Sequence, residues 1–362
     1  MGIAHCLGMS MTSKSPSKIA ATAYEAGLKA LPRYAHKFSR KDFTCAQLFA
    51  ILVLRKFFKQ DYRTSIAFLS EWPDLCRILD LTDKVPHYTT IQKANAKLLN
   101  DAMLRKILKQ TLEQFYHYPK HAVIDDDDMA WMSRIDLAAG DSTGFESNRC
   151  SKYFTRRRKR GKNKGDGTDP VAYRRFPKLG IVIDSATHMI LSHVRGQGPK
   201  PDVNQLLPLM ENMTGQVVPD KMLLDAGYDS EKNHELLREY LEIESVIPAK
   251  AGRPTDKLPT GKWRWLMATS FDEENYGQRW QVETVMHMLK SRQGESLTAR
   301  SYHARRREMG LMVLVHNLMI VWRNRGFLQS MSDTVCPETR KRYPTPSPRA
   351  EKPRPLHRLI RH

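Results

Sequence analysis

From residue 15 to about 122 the apolar positions recur at helical spacing. In TCAQLFAILVLRKFFK (Thr44 to Lys59), Leu48 and Leu52, and Phe49, Val53 and Phe57, fall on overlapping helical faces, and Thr44 stands where an N-cap is needed. SIAFLSEW and TTIQKANAKLL keep the same rhythm, set apart by Pro73 and Pro86. PHYTTIQKANAKLL predicts a helix that starts after a turn and leaves polar and basic residues outward. Such a helix suits contact with DNA, and equally an ordinary amphipathic surface.

Beyond Arg134 the pattern changes to short apolar runs alternating with helical stretches. IDLAAGDSTGF predicts a strand, and FPKLGIVIDSATHMILSHVRG two strands joined at Asp184 and Ser185. DVNQLLPLMENM predicts a helix, KMLLDAGY a strand, SEKNHELLREYLE a helix and SVIPAK a further strand. Strands alternating with helices imply an α/β layer with some parallel pairing. The longest apolar stretch, Met309 to Trp322, contains His316 and Asn317 and is too short for a membrane span, so it reads as a buried helix.

Three segments break these patterns. The acidic run Asp125 to Asp128 separates the two parts and reads as a solvated linker rather than a metal cluster, because neighbouring side chains of an extended segment point apart. Arg149 to Lys164 holds nine Lys or Arg, no acid, and the aromatic pair Tyr153 and Phe154, which suits a phosphate-contacting loop. The last 26 residues hold six prolines and eight Lys or Arg, a composition that does not build a packed core.

Charge gives these segments a partner. The 362 residues include 59 Lys and Arg against 39 Asp and Glu, a formal charge of +20. An excess of that size favours a polyanion, with nucleic acid ahead of membrane. Five scattered cysteines without CxxC spacing predict reduced thiols in a cytoplasmic protein. The start lacks a signal-peptide pattern, and Cys6 replaces the Ser or Thr that myristoylation of Gly2 would call for.

Three acids stand out. Asp141, followed by small residues, and Asp225, closing the run MLLD, are both expected at strand ends, where ligands and catalytic groups gather in α/β sheets. Glu283 lies in YGQRWQVETVMHMLK, where Tyr276, Arg279, Glu283 and Lys290 share a stripe of roughly 60° on one helix at 100° per residue. Val285, Met288 and Leu289 form the opposite, core-facing side. Three converging carboxylates suit two hard divalent cations, most naturally Mg²⁺, clamping the oxygens of an in-line phosphoryl transfer. Asp202 in GPKPD is a secondary candidate, and Asp229 is a rival ligand or a helix cap.

YGQRWQVETVMHMLK fits Y-x2-R-x3-E-x6-K without a gap, and in this it resembles the DDE transposases of bacterial insertion sequences. DSTGF and LLDAGYDS resemble that family's two aspartate motifs, and the likeness extends from about Ile135 to Trp322. The resemblance implies a ribonuclease-H-like catalytic domain, a mixed sheet flanked by helices, preceded by an all-helical domain. It implies Asp141, Asp225 and Glu283 as catalytic metal ligands for Mg²⁺, with Mn²⁺ able to substitute. Tyr276, Arg279 and Lys290 become DNA-contacting groups, joined from the basic run by Arg156, Arg157, Arg158, Lys159 and Arg160. The implied activity is cleavage and strand transfer on double-stranded DNA, comprising the terminal inverted repeats of a mobile element and its target. A bacterial, nucleoid-associated setting goes with it, and a homodimer in the DNA complex stays open. The alternatives are a catalytically silent DNA-binding protein and a ribonuclease-H-like nuclease without strand transfer.

The expected organisation is a flexible start (1–14), a helical DNA-binding domain (15–122), an acidic linker (123–133), a catalytic domain (134–330) with a basic loop at 149–175, and a basic tail (331–362).

Overall fold

The computed structural model describes residues 12–81, 84–116, 133–147, 175–213, 217–249 and 258–334. The acidic run, the basic run with Arg156 to Arg160, and the proline-rich tail lie outside the described residues. Among the described residues, six helices belong to the first part: α1 (Pro16–Ala30), α2 (Cys45–Phe57), α3 (Tyr62–Ser70), α4 (Pro73–Ile78), α5 (Tyr88–Leu98) and α6 (Asp101–Tyr116). Thr44 caps α2 as expected. Its hydroxyl accepts from the Gln47 amide at 3.2 Å, and the Gln47 side chain accepts from the Thr44 amide at 2.8 Å. The run Phe49 to Leu54 is buried throughout, so α2 is the central helix of this part, packed by α1, α5 and the helix that closes the fold. In contrast, α5 buries Ile91, Ala94 and Leu98 and leaves Gln92, Lys93 and Lys97 in solvent.

The second part is built on a five-stranded sheet. Its strands are β1 (Ser133–Gly144), β3 (Phe176–Asp184), β4 (Ile190–Gly198), β5 (Val217–Leu224) and β6 (Glu244–Val246); β2 (Glu146–Ser147) and β7 (Ser296–Leu297) pair separately. The order is β4-β3-β1-β5-β6, with β1, β3 and β4 an antiparallel meander and β5 and β6 parallel to β1. The fold is ribonuclease-H-like, preceded by a helical region. Leu179, Ile181, Val182 and Ile183 in β3, and Met222, Leu223 and Leu224 in β5, are buried on both faces, as sheets covered by helices on two sides require. The helices Leu206–Asn212 and Trp280–Gln293 supply part of that cover.

The closing helix, Tyr302–Thr334, joins the two parts. It packs on β3 and β4 and also on α1, α2 and α6, so one apolar core runs through sheet and helical region alike. Met309 to Val321 are buried, as the sequence predicts for this stretch. Its polar members are used: Asn317 accepts from the Ile190 amide at 3.0 Å and donates to the Ile190 carbonyl at 2.9 Å. Among the described residues no helix is long and apolar enough to cross a membrane.

Candidate active site

In the β1–β5 register Gly140 lies opposite Leu224, one residue before each of two aspartates. Asp141 and Asp225 therefore each follow a residue of one register pair on neighbouring parallel strands, which run about 4.8 Å apart. β5 ends there, and Asp225 turns out of the sheet to cap the tight turn Ala226–Tyr228, accepting the Ala226 amide at 2.7 Å. β1 does not end there. It continues to Gly144, so Asp141 lies inside its strand rather than at the strand end its small neighbours suggested. What opens the site beside it is the termination of β5. The Asp141 side chain is 22% exposed and accepts the Ser142 amide at 2.6 Å. Burial pushes its carboxyl above the ordinary range; Asp225 and Asp202 add repulsion, while the Ser142 amide and Arg279 oppose the rise.

Glu283 comes from the helix Trp280–Gln293 and is linked to Asp141 through Arg279. The guanidinium reaches Glu283 at 2.6 Å and Asp141 at 3.4 Å. The single helix expected over residues 276–290 is corrected by the structure. Tyr276 ends a short helix (Glu273–Tyr276), Gly277–Arg279 forms a tighter 3₁₀ turn, and the α-helix begins at Trp280. A 3₁₀ turn eclipses residues three apart, so Tyr276 and Arg279 stack, with the guanidinium 6.0 Å from the ring. Lys290 extends over the Phe145 ring at 5.6 Å. The buried side of this helix is Val282, Val285, Met286 and Leu289; Met286 takes the core place expected for Met288, which stays partly exposed.

Asp202 reaches β1 at Ser142. One of its oxygens accepts from Ser142 Oγ at 2.6 Å and Gln205 Nε2 at 2.9 Å and pairs with Lys178 Nζ at 2.7 Å. Asp229 is not part of the group. Its buried carboxylate is gripped by Arg264 at 2.8–3.0 Å, and the following helix is capped by Ser230 instead. Asp229 is thus neither a rival ligand in this arrangement nor that helix's cap, because Arg264 already satisfies its charge. Ser142, Lys178 and Gln205 escape sequence reading. They come from separate strands and a turn, and only the sheet register brings them together.

Among the described residues, no group of three or more His, Cys, Asp or Glu side chains stands close enough to hold a metal ion. Arg279 lies between Asp141 and Glu283. The donor set nevertheless fits a hard divalent cation, since it consists of carboxylate oxygens whose mutual repulsion a cation relieves. A second sign is the fully buried Tyr228 hydroxyl, which feels Asp202, Asp141 and Asp225 and has no hydrogen-bond partner among the described residues.

No curated protein matches the chain. Among solved structures it is similar to the piggyBac transposase synaptic complex with hairpin DNA, determined by cryo-electron microscopy, at 13% identity and a TM-score of 0.40, over 88% of this chain and 74% of that one. The family model described as the transposase DDE domain matches residues 133–318, which begin with β1 and end within the closing helix. That span is just over half of the chain and contains all three acids, and by it this protein belongs to the DDE-domain transposase family.

Proposed function

We propose that this transposase cleaves DNA at the ends of a mobile element and joins the freed end to target DNA, with Asp141, Asp225 and Glu283 as its acidic triad. The observation that carries this reading is that Asp141 and Asp225 each directly follow the Gly140–Leu224 register pair of β1 and β5, with Glu283 tied to Asp141 through Arg279. The family uses divalent metal ions. Asp141 and Asp225 would hold them, with Glu283 as the third ligand, and Mg²⁺ or Mn²⁺ is the class their oxygens suit. Bound there, the ions supply charge stabilisation at the attacking and leaving oxygens of an in-line displacement.

The remaining work belongs to the chain. Arg279 and Lys290 flank Glu283 and grip phosphates near the scissile bond, Tyr276 extends the contact line, and Arg156 to Arg160 add phosphate contacts. A water and then a terminal 3′-hydroxyl act as nucleophiles, so no covalent link to the protein forms. The cognate DNA is the terminal inverted repeats of a bacterial insertion sequence.

The test is Mg²⁺-dependent cleavage of DNA carrying the cognate ends. Asp141→Ala, Asp225→Ala and Glu283→Ala are each expected to abolish cleavage while leaving folding and DNA binding largely intact. The losses should be similar and non-additive, because the three act as one unit. Full cleavage by Asp225→Ala protein would refute the assignment.

A further inference from the structure

Asp202 follows the cis peptide bond at Gly198–Pro199 and opens the turn Asp202–Gln205, 61 residues after Asp141 in sequence but in contact with Ser142, the residue next to Asp141. Its two oxygens are treated differently. One receives Ser142, Gln205 and Lys178, three donors from three separate segments. Lys178 also donates to the Lys200 carbonyl at 2.8 Å, which anchors the loop that carries Asp202. Gln205 reaches its place because residue 180 is glycine. A Cβ at Gly180 would stand 2.6 Å from Gln205 Oε1, and Gly180 is the register partner of Ser142. Strand pairing, a missing side chain and a salt bridge all fix how this carboxylate points.

The other oxygen accepts none of these three donors. Asp202 Oδ2 and Asp225 Oδ2 both lie 3.7 Å from where a Cβ would sit on Gly227, so the two acids lean over the same bare backbone. The Tyr228 hydroxyl, fully buried and without a partner among the described residues, lies within electrostatic reach of Asp202, Asp141 and Asp225. A buried hydroxyl left unpaired carries a desolvation cost, and a hydrated cation among these carboxylates would supply its missing partner.

We propose that Asp202 is a fourth carboxylate of the metal site, binding a divalent cation through Oδ2, and that the Tyr228 hydroxyl hydrogen-bonds a water of that cation. The inference rests on the reading of Asp141 and Asp225 as metal ligands. Lys178 then has a defined role: its charge on Oδ1 offsets that of Asp202 and weakens the hold of Oδ2 on the cation, while Ser142 and Gln205 keep the carboxylate in place.

Mn²⁺ alone, titrated into the full-length chain and followed by the electron paramagnetic resonance of the free ion, tests this without any catalytic readout. Asp202→Asn should weaken Mn²⁺ binding by tenfold or more, and Tyr228→Phe by several-fold. Lys178→Met should tighten it, because the offsetting charge is gone. In the Asp202→Asn/Lys178→Met double variant binding should stay weak. Ser142→Ala, which loosens Asp202 but spares its charge, should cost a few-fold and serves if Asp202→Asn does not fold.

Unchanged affinity in folded Asp202→Asn protein, alongside weakened binding in Asp225→Asn, overturns the proposal. So does restored affinity in the double variant, which would make Asp202 only the partner of Lys178. Wild-type binding that Asp225→Asn leaves intact would instead refute the underlying reading of the triad.

Discussion

Arg279 faces competing demands. Its guanidinium spans Glu283 and Asp141, 20% exposed, yet the proposed reaction asks it to hold a phosphate. An arginine can trade a carboxylate for a phosphate at little cost, since its planar fork matches both. The exchange would also free two acids at the moment DNA arrives. Because a transposase must keep the cleaved end until its 3′-hydroxyl attacks, Arg279→Ala and Lys290→Ala should impair strand joining more than first-strand hydrolysis. An assay that scores both products decides it; equal loss, or none, would reduce the two cations to an ordinary solvated face.

The elements themselves were legible to different degrees, for physical reasons. The start of α2 was readable because the Thr44 cap is a local device: donor and acceptor lie three residues apart, so sequence alone specifies the geometry. Thr44→Ala should therefore lower stability by about 1 kcal/mol, or roughly 2 °C in melting temperature, measurable by thermal unfolding. The strands around Asp141 and Asp225 were readable from their apolar runs. The reach of β1 past Asp141 was readable too, since IDLAAGDSTGF reads as one strand, but its pairing with β3, from Ala138–Asp184 to Gly144–Lys178, was not, because register is set by residues about 40 positions away. The break before Trp280 was hidden for another reason. Gly277 and Gln278 fit an α-helical stripe as well as a 3₁₀ turn, so the residue pattern does not distinguish the two. The surroundings of Asp202 were invisible, since Ser142, Lys178 and Gln205 meet it only through sheet register.

At the scale of the molecule, a buried ion pair ties the helical region to the closing helix. Lys56 in α2 meets Glu308 at 2.9 Å, each side chain 6% exposed, and Glu308 also accepts the Thr298 and Ala299 amides. Burial pulls the Lys56 ammonium below its ordinary value. Burial alone would raise the Glu308 carboxyl, but Lys56 and the two amides outweigh it and hold it low. Glu308→Ala should cost about 3–5 kcal/mol by leaving a buried cation unpaired, and Lys56→Met in the same chain should recover much of that loss. The sign with pH follows from the depressed carboxyl: its contribution is full above the ordinary glutamate value of about 4.3 and disappears as pH falls through the lower folded value. Acid unfolding of wild type and Glu308→Gln should therefore converge at low pH; parallel curves would remove Glu308 from the account.

The closing helix has one more consequence. Because Tyr302–Thr334 packs on the sheet and on α1, α2 and α6 through a single apolar core, the helical region cannot swing independently of the carboxylates. On the expectation that the helical region (15–122) binds DNA, the bound DNA would be presented to Asp141 and Asp225 at a fixed distance. The molecule then works as a ruler, and the offset between the bases it recognises and the bond it cuts is a constant of the packed core, unaffected by the length of the chain that connects its two parts.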